Sequence, residues 1–175
     1  EGYRIYFETD PDFPEWVEGS YYPRGNGGNS PDTTYFYTRV DPAGTYRIWG
    51  MRHTVAFAVL QVGTMGDVLL VGGKPLGHYF LDDLTLGPDG SFEMMLSGER
   101  PEGYKGDWRR LDPQAEIIYL RQVMLNWGSE QDAEVYIERL DRPTMPPRPT
   151  AADLRSRWAA MTAYTRGATT NRQEP

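Results

Sequence analysis

The sequence predicts a mainly β domain, built as an antiparallel sandwich or barrel. Aromatic residues make up 13% of the chain, including 12 Tyr and 5 Trp, and such residues favour strands. The 19 Gly and 14 Pro imply many turns. Short apolar or alternating runs are broken by turn residues about every 8–12 positions, a spacing typical of strands joined by hairpins.

Strands are predicted wherever such a run lies between two turn signals. They fall near residues 34–40, 45–50, 54–63, 67–71, 80–86, 91–97, 116–126 and 133–140. The breaks carry turn residues, as in Gly72-Gly73-Lys74-Pro75 and Gly87-Pro88-Asp89-Gly90. Residues 98–115 hold Gly, Pro and charged residues throughout and are predicted as the longest break within the sheet region.

The segment before the strands fits two structures. Tyr3, Ile5 and Phe7 alternate as in a strand, whereas Tyr3, Tyr6 and Phe7 fit one face of a helix. Residues 15–28 are predicted as an extended loop that contains aromatic residues.

The C-terminal part of the chain is predicted to leave the sheets. Residues 143–149 are rich in Pro and predict a stiff, extended strap. A helix is predicted over residues 150–166, because Thr150 and Asp153 approximate a capping box. One face of that helix carries larger residues, namely Leu154, Trp158, Met161 and Thr165. Residues 167–175 are polar and are predicted to be disordered.

Short motifs occur along the chain in a fixed order. They are Gly28-Asn29-Ser30-Pro31-Asp32-Thr33-Thr34-Tyr35, Thr45-Tyr46-Arg47-Ile48-Trp49-Gly50, Leu81-Asp82-Asp83-Leu84, Asp89-Gly90-Ser91-Phe92-Glu93, Gly106-Asp107-Trp108, Leu111-Asp112-Pro113, Arg121-Gln122-Val123, Asn126-Trp127 and Ile137-Glu138-Arg139-Leu140. Their order and spacing resemble the DUF1214 family of β-rich proteins, which often accompany a second domain, DUF1254. The likeness covers roughly residues 1–166. Asn126 departs from the pattern, in which an Asp usually precedes the Trp.

The resemblance implies a fold and a broad role. It implies a jelly-roll sandwich, a helical tail at residues 1–9 and the handling of carbohydrates, without established catalytic residues. We therefore expect an antiparallel β-sandwich of jelly-roll type over residues 26–142. With a short N-terminal helical tail and the C-terminal helix, it would form a single domain over residues 1–166.

Composition excludes several classes of function. The net charge of −7 argues against nucleic acid and anionic membranes as partners, because phosphate binding needs a basic face. The longest apolar run, residues 55–62, is too short to cross a bilayer. The chain lacks Cys, which fits a reducing compartment, and a cytoplasmic location is predicted. It begins at Glu1 rather than Met, so the sequence leaves open whether an N-terminal segment, such as a signal peptide, has been removed.

Metal and cofactor sites are not expected. His53 and His78 are isolated, with no partner at ligand spacing. The glycines between residues 25 and 28 lack the Lys-Ser/Thr pair of a phosphate loop. No metal and no cofactor is therefore predicted.

Polar residues within apolar strands are the first candidates for a site, because burying them unpaired is costly. Gln61 stands in the run 55–63, and Arg121 and Gln122 stand in the run 117–125. Strand alternation places Arg121 and Gln122 on opposite faces. We expect Arg121 to point into a cavity and bind a carboxylate or ring hydroxyls. The alternative is a structural ion pair of Arg121 with Asp32 or Asp82.

A Gly/Asn-rich turn leads into the first long strand and presents Asn29, Asp32 and Tyr35 together. These residues can bind a ligand hydroxyl, with Tyr35 as a stacking face or acid/base. Alternatively, Asn29 and Asp32 only stabilise the turn. Trp127 in a later loop either stacks on a ligand or plugs an end of the sandwich.

The leading hypothesis is a protein that binds a small molecule or carbohydrate through Asn29, Gln61, Arg121 and Trp127. The alternative is a hydrolase or lyase that uses Asp32, Tyr35 and Asp82 as catalytic residues. A second alternative is a structural module that forms a homo-oligomer through the C-terminal helix.

Overall fold

The computed structural model describes residues 2–19, 30–65, 74–143 and 145–170, and it confirms that the chain is mainly β. A short helical turn, Arg4–Glu8, precedes the strands. The described strands are β1 (Val17–Glu18), β2 (Thr33–Arg39), β3 (Tyr46–Met51), β4 (Phe57–Gly63), β5 (Pro75–Phe80), β6 (Ser91–Ser97), β7 (Asp107–Arg110), β8 (Ile117–Val123) and β9 (Glu134–Arg139). A 3-10 turn, Leu81–Asp83, follows β5, and the helix α1 spans Ala151–Thr170.

The described strands form two sheets. The larger sheet has the order β1-β2-β8-β4-β5 and is antiparallel throughout. The smaller sheet has the order β7-β6-β3-β9, and its β6–β7 pair is parallel. The prediction of a purely antiparallel architecture is therefore wrong at this one pair.

Three predicted segments differ from the observed strands. The loop predicted over residues 15–28 contains the short strand β1, Val17–Glu18, which pairs with β2. The strand predicted near 80–86 lies earlier, at Pro75–Phe80, and the following Leu81–Asp83 form the 3-10 turn. The predicted break 98–115 contains β7, Asp107–Arg110, which adds an edge strand through its parallel pairing with β6. The strand predicted near 67–71 lies outside the described residues.

The main core lies between the two sheets, since alternate side chains of the strands point inward from both. In β3 the burial alternates strictly, and the side chains of Tyr46 and Ile48 are fully buried. The same core contains Ala58, Leu60, Val62, Phe92, Met94, Leu96, Ile118, Leu120 and Ile137.

The N-terminal turn and α1 meet near the outer face of the larger sheet. Ile5 packs with Tyr37 and Tyr119 in a second buried cluster on this face. The ring of Phe7 contacts Trp158 edge-on, with 6.3 Å between the ring centroids. The helical alternative for residues 1–9 is therefore the one observed, at Arg4–Glu8.

The predicted capping box at the start of α1 is present. The Asp153 carboxylate accepts from the backbone N–H of Thr150 at 2.8 Å, and the Thr150 hydroxyl accepts from the N–H of Asp153 at 3.2 Å. These two hydrogen bonds satisfy backbone donors at the helix start. The helix continues to Thr170, past its predicted end at residue 166. No helix within the described residues is long and apolar enough to cross a bilayer.

A buried guanidinium ties the end of β9 to two loops. The Arg139 side chain is only 1% exposed and donates to Asp12 at 2.6 Å, to Asp41 at 3.1 Å and to Asp141 at 3.0 Å. It also lies over the ring of Tyr46, 5.7 Å from the centroid. Burial raises the pKa of the Tyr46 hydroxyl to about 12, so this group stays protonated and donates to the carbonyl of Pro11.

This cluster makes stability depend on pH. The hydrogen bond from Arg139 lowers the pKa of the Asp141 carboxyl from 3.8 to about 2. The stabilisation of the folded state by the Arg139–Asp141 ion pair is therefore complete above pH 4 and is lost as the pH falls through about 2. We expect roughly 1 kcal/mol from Asp141, since its side chain is 37% exposed and the solvent screens the pair. In urea unfolding, the free energy of unfolding should fall less between pH 4 and pH 2 for Asp141→Asn than for the wild type. If the free energies of the two proteins fall in parallel with pH, this expectation is wrong.

Candidate functional site

An open groove of about 900 Å³ crosses the outer face of the smaller sheet. Its floor is built by β3, whose side chains alternate between the core and this face. Trp49 faces the groove while its neighbours Ile48 and Gly50 are buried. The segment between β6 and β7 supplies a wall that includes Tyr104.

Two aromatic rings form a platform on this floor. Trp49 of β3 is the ladder partner of Tyr136 of β9, which places both side chains on the same face of the sheet. Their rings are stacked with 5.7 Å between the centroids and 27° between the planes. Tyr136 is 51% exposed and Trp49 is half-buried, so solvent reaches the platform mainly at Tyr136.

Arg47 orders one side of the platform. Its guanidinium lies 4.7 Å from the centre of the Trp49 ring. The same group donates to Glu93 at 2.7 Å and to Glu138 at 3.2 Å. The hydrogen bond with Glu93 is the main reason why the pKa of Arg47 is raised, and Arg47 therefore stays charged.

The wall is held by contacts within its own segment. Arg100 donates to the backbone carbonyl of Tyr104 at 3.2 Å and lies 5.6 Å from the centre of the Trp108 ring. Asp107 accepts from the backbone N–H of Thr85 at 2.6 Å, which joins the wall to the loop after the 3-10 turn. Burial raises the pKa of the Tyr104 hydroxyl.

The geometry of the groove suits binding. The pKa shifts of Arg47 and Tyr104 both lead away from neutral pH, so neither group is tuned for proton transfer at pH 7. The stacked rings of Trp49 and Tyr136, with charged and hydroxyl groups around them, offer apolar contact to a ligand ring and hydrogen-bond partners to its edge.

The sequence predicted a different site, part of which is assembled on the outer face of the larger sheet. Arg121 donates to the side-chain oxygen of Gln61 at 3.1 Å, and its guanidinium lies 5.4 Å from the centre of the Tyr35 ring. Tyr35 and Arg121 are ladder partners on β2 and β8. The structure thus brings Tyr35, Gln61 and Arg121 together.

Gln122, rather than Arg121, points into the core between the sheets. Gln122 is 2% exposed, and its amide accepts from the N–H of Ala133 at 2.7 Å and donates to the carbonyl of Ala133 at 3.3 Å. The backbone N–H and carbonyl of one residue thus satisfy both ends of a neutral amide, whereas a buried guanidinium would need a carboxylate. Arg121 instead contacts Gln61 and Tyr35, so the expected cavity around it is not the interior of the sandwich.

The remaining predicted residues have other partners. Trp127 is 58% exposed and donates from its indole nitrogen to Asp32 at 3.0 Å. Asp82 accepts from Nε and Nη2 of the buried Arg52, at 2.8 Å and 3.1 Å. In the structure, Asp32 is thus bound by Trp127 and Asp82 by Arg52, rather than by Arg121 as in the alternative of a structural ion pair. Asn29 lies outside the described residues.

The groove was not predicted, because the predicted site rests on polar residues within apolar strands and the groove is not marked by such residues. A usable signal was present in β3, where alternation places Arg47, Trp49 and Met51 on the face opposite Tyr46 and Ile48. Within the described part of the chain, no three His, Asp or Glu side chains are grouped to hold a metal ion.

Among the comparisons with known proteins, one solved structure has a similar fold. No family model and no curated protein matches the chain. A crystal structure of an uncharacterised protein from Burkholderia cenocepacia is similar to it, with 26% sequence identity and a TM-score of 0.83. That match covers 95% of this chain but 46% of the other, so this chain spans less than half the length of that protein. The VPA0106 protein from Vibrio parahaemolyticus has 10% identity and a TM-score of 0.42, over 61% of this chain and 30% of that one.

Proposed function

We propose that this protein binds a carbohydrate in the groove on the outer face of the smaller sheet. The observation that supports the proposal most is the stacked pair of the half-buried Trp49 and the exposed Tyr136 in the groove. A sugar ring has one face lined by C–H groups, which packs against flat aromatic rings, and an edge of hydroxyls that needs polar partners. Glu93 and Tyr104 line the same groove and offer such partners.

The open shape of the groove is compatible with the binding of an oligosaccharide. A sheet face without a covering layer leaves room for a chain of sugars to extend past the platform. The side chain of Arg47 is tied to two carboxylates, so the edge of the platform is ordered before a ligand arrives. Such preorganisation lowers the entropic cost of binding.

Trp49→Ala is expected to weaken the binding of an oligosaccharide by about tenfold or more, because the main stacking surface is removed. The measurement is isothermal titration calorimetry with the oligosaccharide that binds best in a panel of xylo-, cello-, chito- and galacturono-oligosaccharides. Circular dichroism at the same temperature establishes that the variant is folded.

Trp127→Ala is the matched control, since Trp127 is also exposed but contacts Asp32 beside the larger sheet. We expect it to bind as the wild type does. If Trp127→Ala lost binding while Trp49→Ala retained it, the ligand would belong to the site with Arg121 and Tyr35, and the groove proposal would be wrong.

We also propose the jelly-roll type and membership of the DUF1214 family. The ordered motifs of the sequence support the family. The chain crosses between the two sheets from β2 to β3, from β3 to β4, from β5 to β6, and again from β7 to β8 and from β8 to β9. Repeated crossing of this kind is a feature of jelly rolls.

A further inference from the structure

The charges in the groove differ from those of the whole protein. The chain has a net charge of −7. The groove is nevertheless lined by the cations Arg47, Arg100 and Lys105 and by the carboxylates Glu93 and Asp107. Among the lining residues, the three cations outnumber the two carboxylates by one.

The groove carboxylates already have partners. Glu93 accepts from Arg47 at 2.7 Å, and Asp107 accepts from the backbone N–H of Thr85 at 2.6 Å. Arg47 is further engaged by Glu138 at 3.2 Å. The charge of Arg47 is therefore already matched by two carboxylates, Glu93 and Glu138.

Arg100 and Lys105 differ from Arg47 in their partners. Among the described residues, neither forms an ion pair with a carboxylate within 4.0 Å. Arg100 is held in place by the carbonyl of Tyr104 and by the ring of Trp108, contacts that occupy only part of its five-donor fork. Its remaining N–H groups and the Lys105 ammonium can bind an anion.

From these observations we propose that the groove prefers acidic oligosaccharides built from uronic acids over neutral ones. This inference rests on the proposed function. A uronic acid keeps the stacking face of a sugar and carries a carboxylate at the ring edge. While the ring packs on Trp49 and Tyr136, the carboxylate is recognised by Arg100 and Lys105, with the guanidinium fork suited to two parallel hydrogen bonds.

The test compares each acidic oligosaccharide with its own methyl ester, which keeps the ring and removes the charge. The probes are galacturonate and mannuronate hexamers, titrated calorimetrically into the wild-type chain at low and at high salt. We expect the acid to bind about tenfold more tightly than the ester at low salt, since charge-assisted hydrogen bonds are lost in the ester. High salt should narrow that difference because it screens exposed charges.

The double variant Arg100→Gln, Lys105→Gln should lose the preference and bind both forms as the wild type binds the ester. Arg155→Gln removes a cation from the exposed surface of α1 and should keep the preference. Trp49→Ala should weaken both forms alike.

Two results would overturn the inference and leave the groove as a carbohydrate site. They are equal binding of acid and ester by the wild type, and a preference that survives in the double variant. Absence of binding by every oligosaccharide tested, neutral or acidic, would contradict the proposed function itself.

Discussion

Gly50→Ala is expected to lower the free energy of unfolding by about 4 kcal/mol or more, a large share of the stability of an ordinary domain. A Cβ atom at Gly50 would lie 1.8 Å from the carbonyl oxygen of Glu134 and 2.7 Å from its carbonyl carbon. These are backbone atoms of β9, which pairs with β3 at this point. Relief requires the two strands to separate, which breaks ladder hydrogen bonds and moves Ile137 out of the core.

The control for this substitution is Gly98→Ala. A Cβ atom at Gly98 has its nearest neighbour, the carbonyl oxygen of Pro42, at 3.9 Å, which is an ordinary contact. We expect that variant to stay within about 0.5 kcal/mol of the wild type in urea unfolding. If Gly50→Ala does not fold while Gly98→Ala does, the expectation is met. An unchanged unfolding midpoint for Gly50→Ala would contradict it.

Arg139→Ala should cost about 3 kcal/mol of stability, because it leaves three carboxylates without the guanidinium that neutralises them. The Arg139 side chain is 1% exposed, whereas Asp12, Asp41 and Asp141 are between 36% and 41% exposed. Water can therefore solvate part of the charge left behind, which places the loss at the lower end for a buried ion pair.

Arg142→Ala is the matched comparison, since Arg142 contacts Asp12 and Asp141 from the surface and is 43% exposed. Its loss should stay below about 1 kcal/mol at neutral pH. The difference between the two variants should shrink in acid as protonation removes the repulsion among the carboxylates. Equal losses at neutral pH would show that burial of Arg139 contributes little.

The strands whose bounds the sequence predicts correctly are those flanked on both sides by turn residues. The prediction 91–97 coincides with β6, Ser91–Ser97, because a Gly-Pro-Asp-Gly turn precedes an alternating run. β7 was missed, since its short charged sequence becomes a strand only through pairing with β6. The strand Pro75–Phe80 was predicted too late in the chain, near 80–86, because its Pro and Gly resemble a turn, although an edge position tolerates both.

The site residues, like the strands, were only partly predictable from the sequence. Alternation correctly placed Arg121 and Gln122 on opposite faces, but it could not tell which face was the core. That choice depends on Ala133, whose backbone N–H and carbonyl bind Gln122 from the loop between β8 and β9. Trp49 was overlooked as a site residue because its importance arises from Tyr136 on a strand distant in the sequence.

The alternation of β3 separates two kinds of selective constraint. Tyr46 and Ile48 anchor the interior, whereas Arg47 and Trp49 face the groove one residue away. A mutation at a groove position leaves the interior intact, so it draws little on the small margin of stability that limits what a protein can accept. A lineage with this architecture could therefore diversify its ligand preference stepwise while every intermediate remains folded.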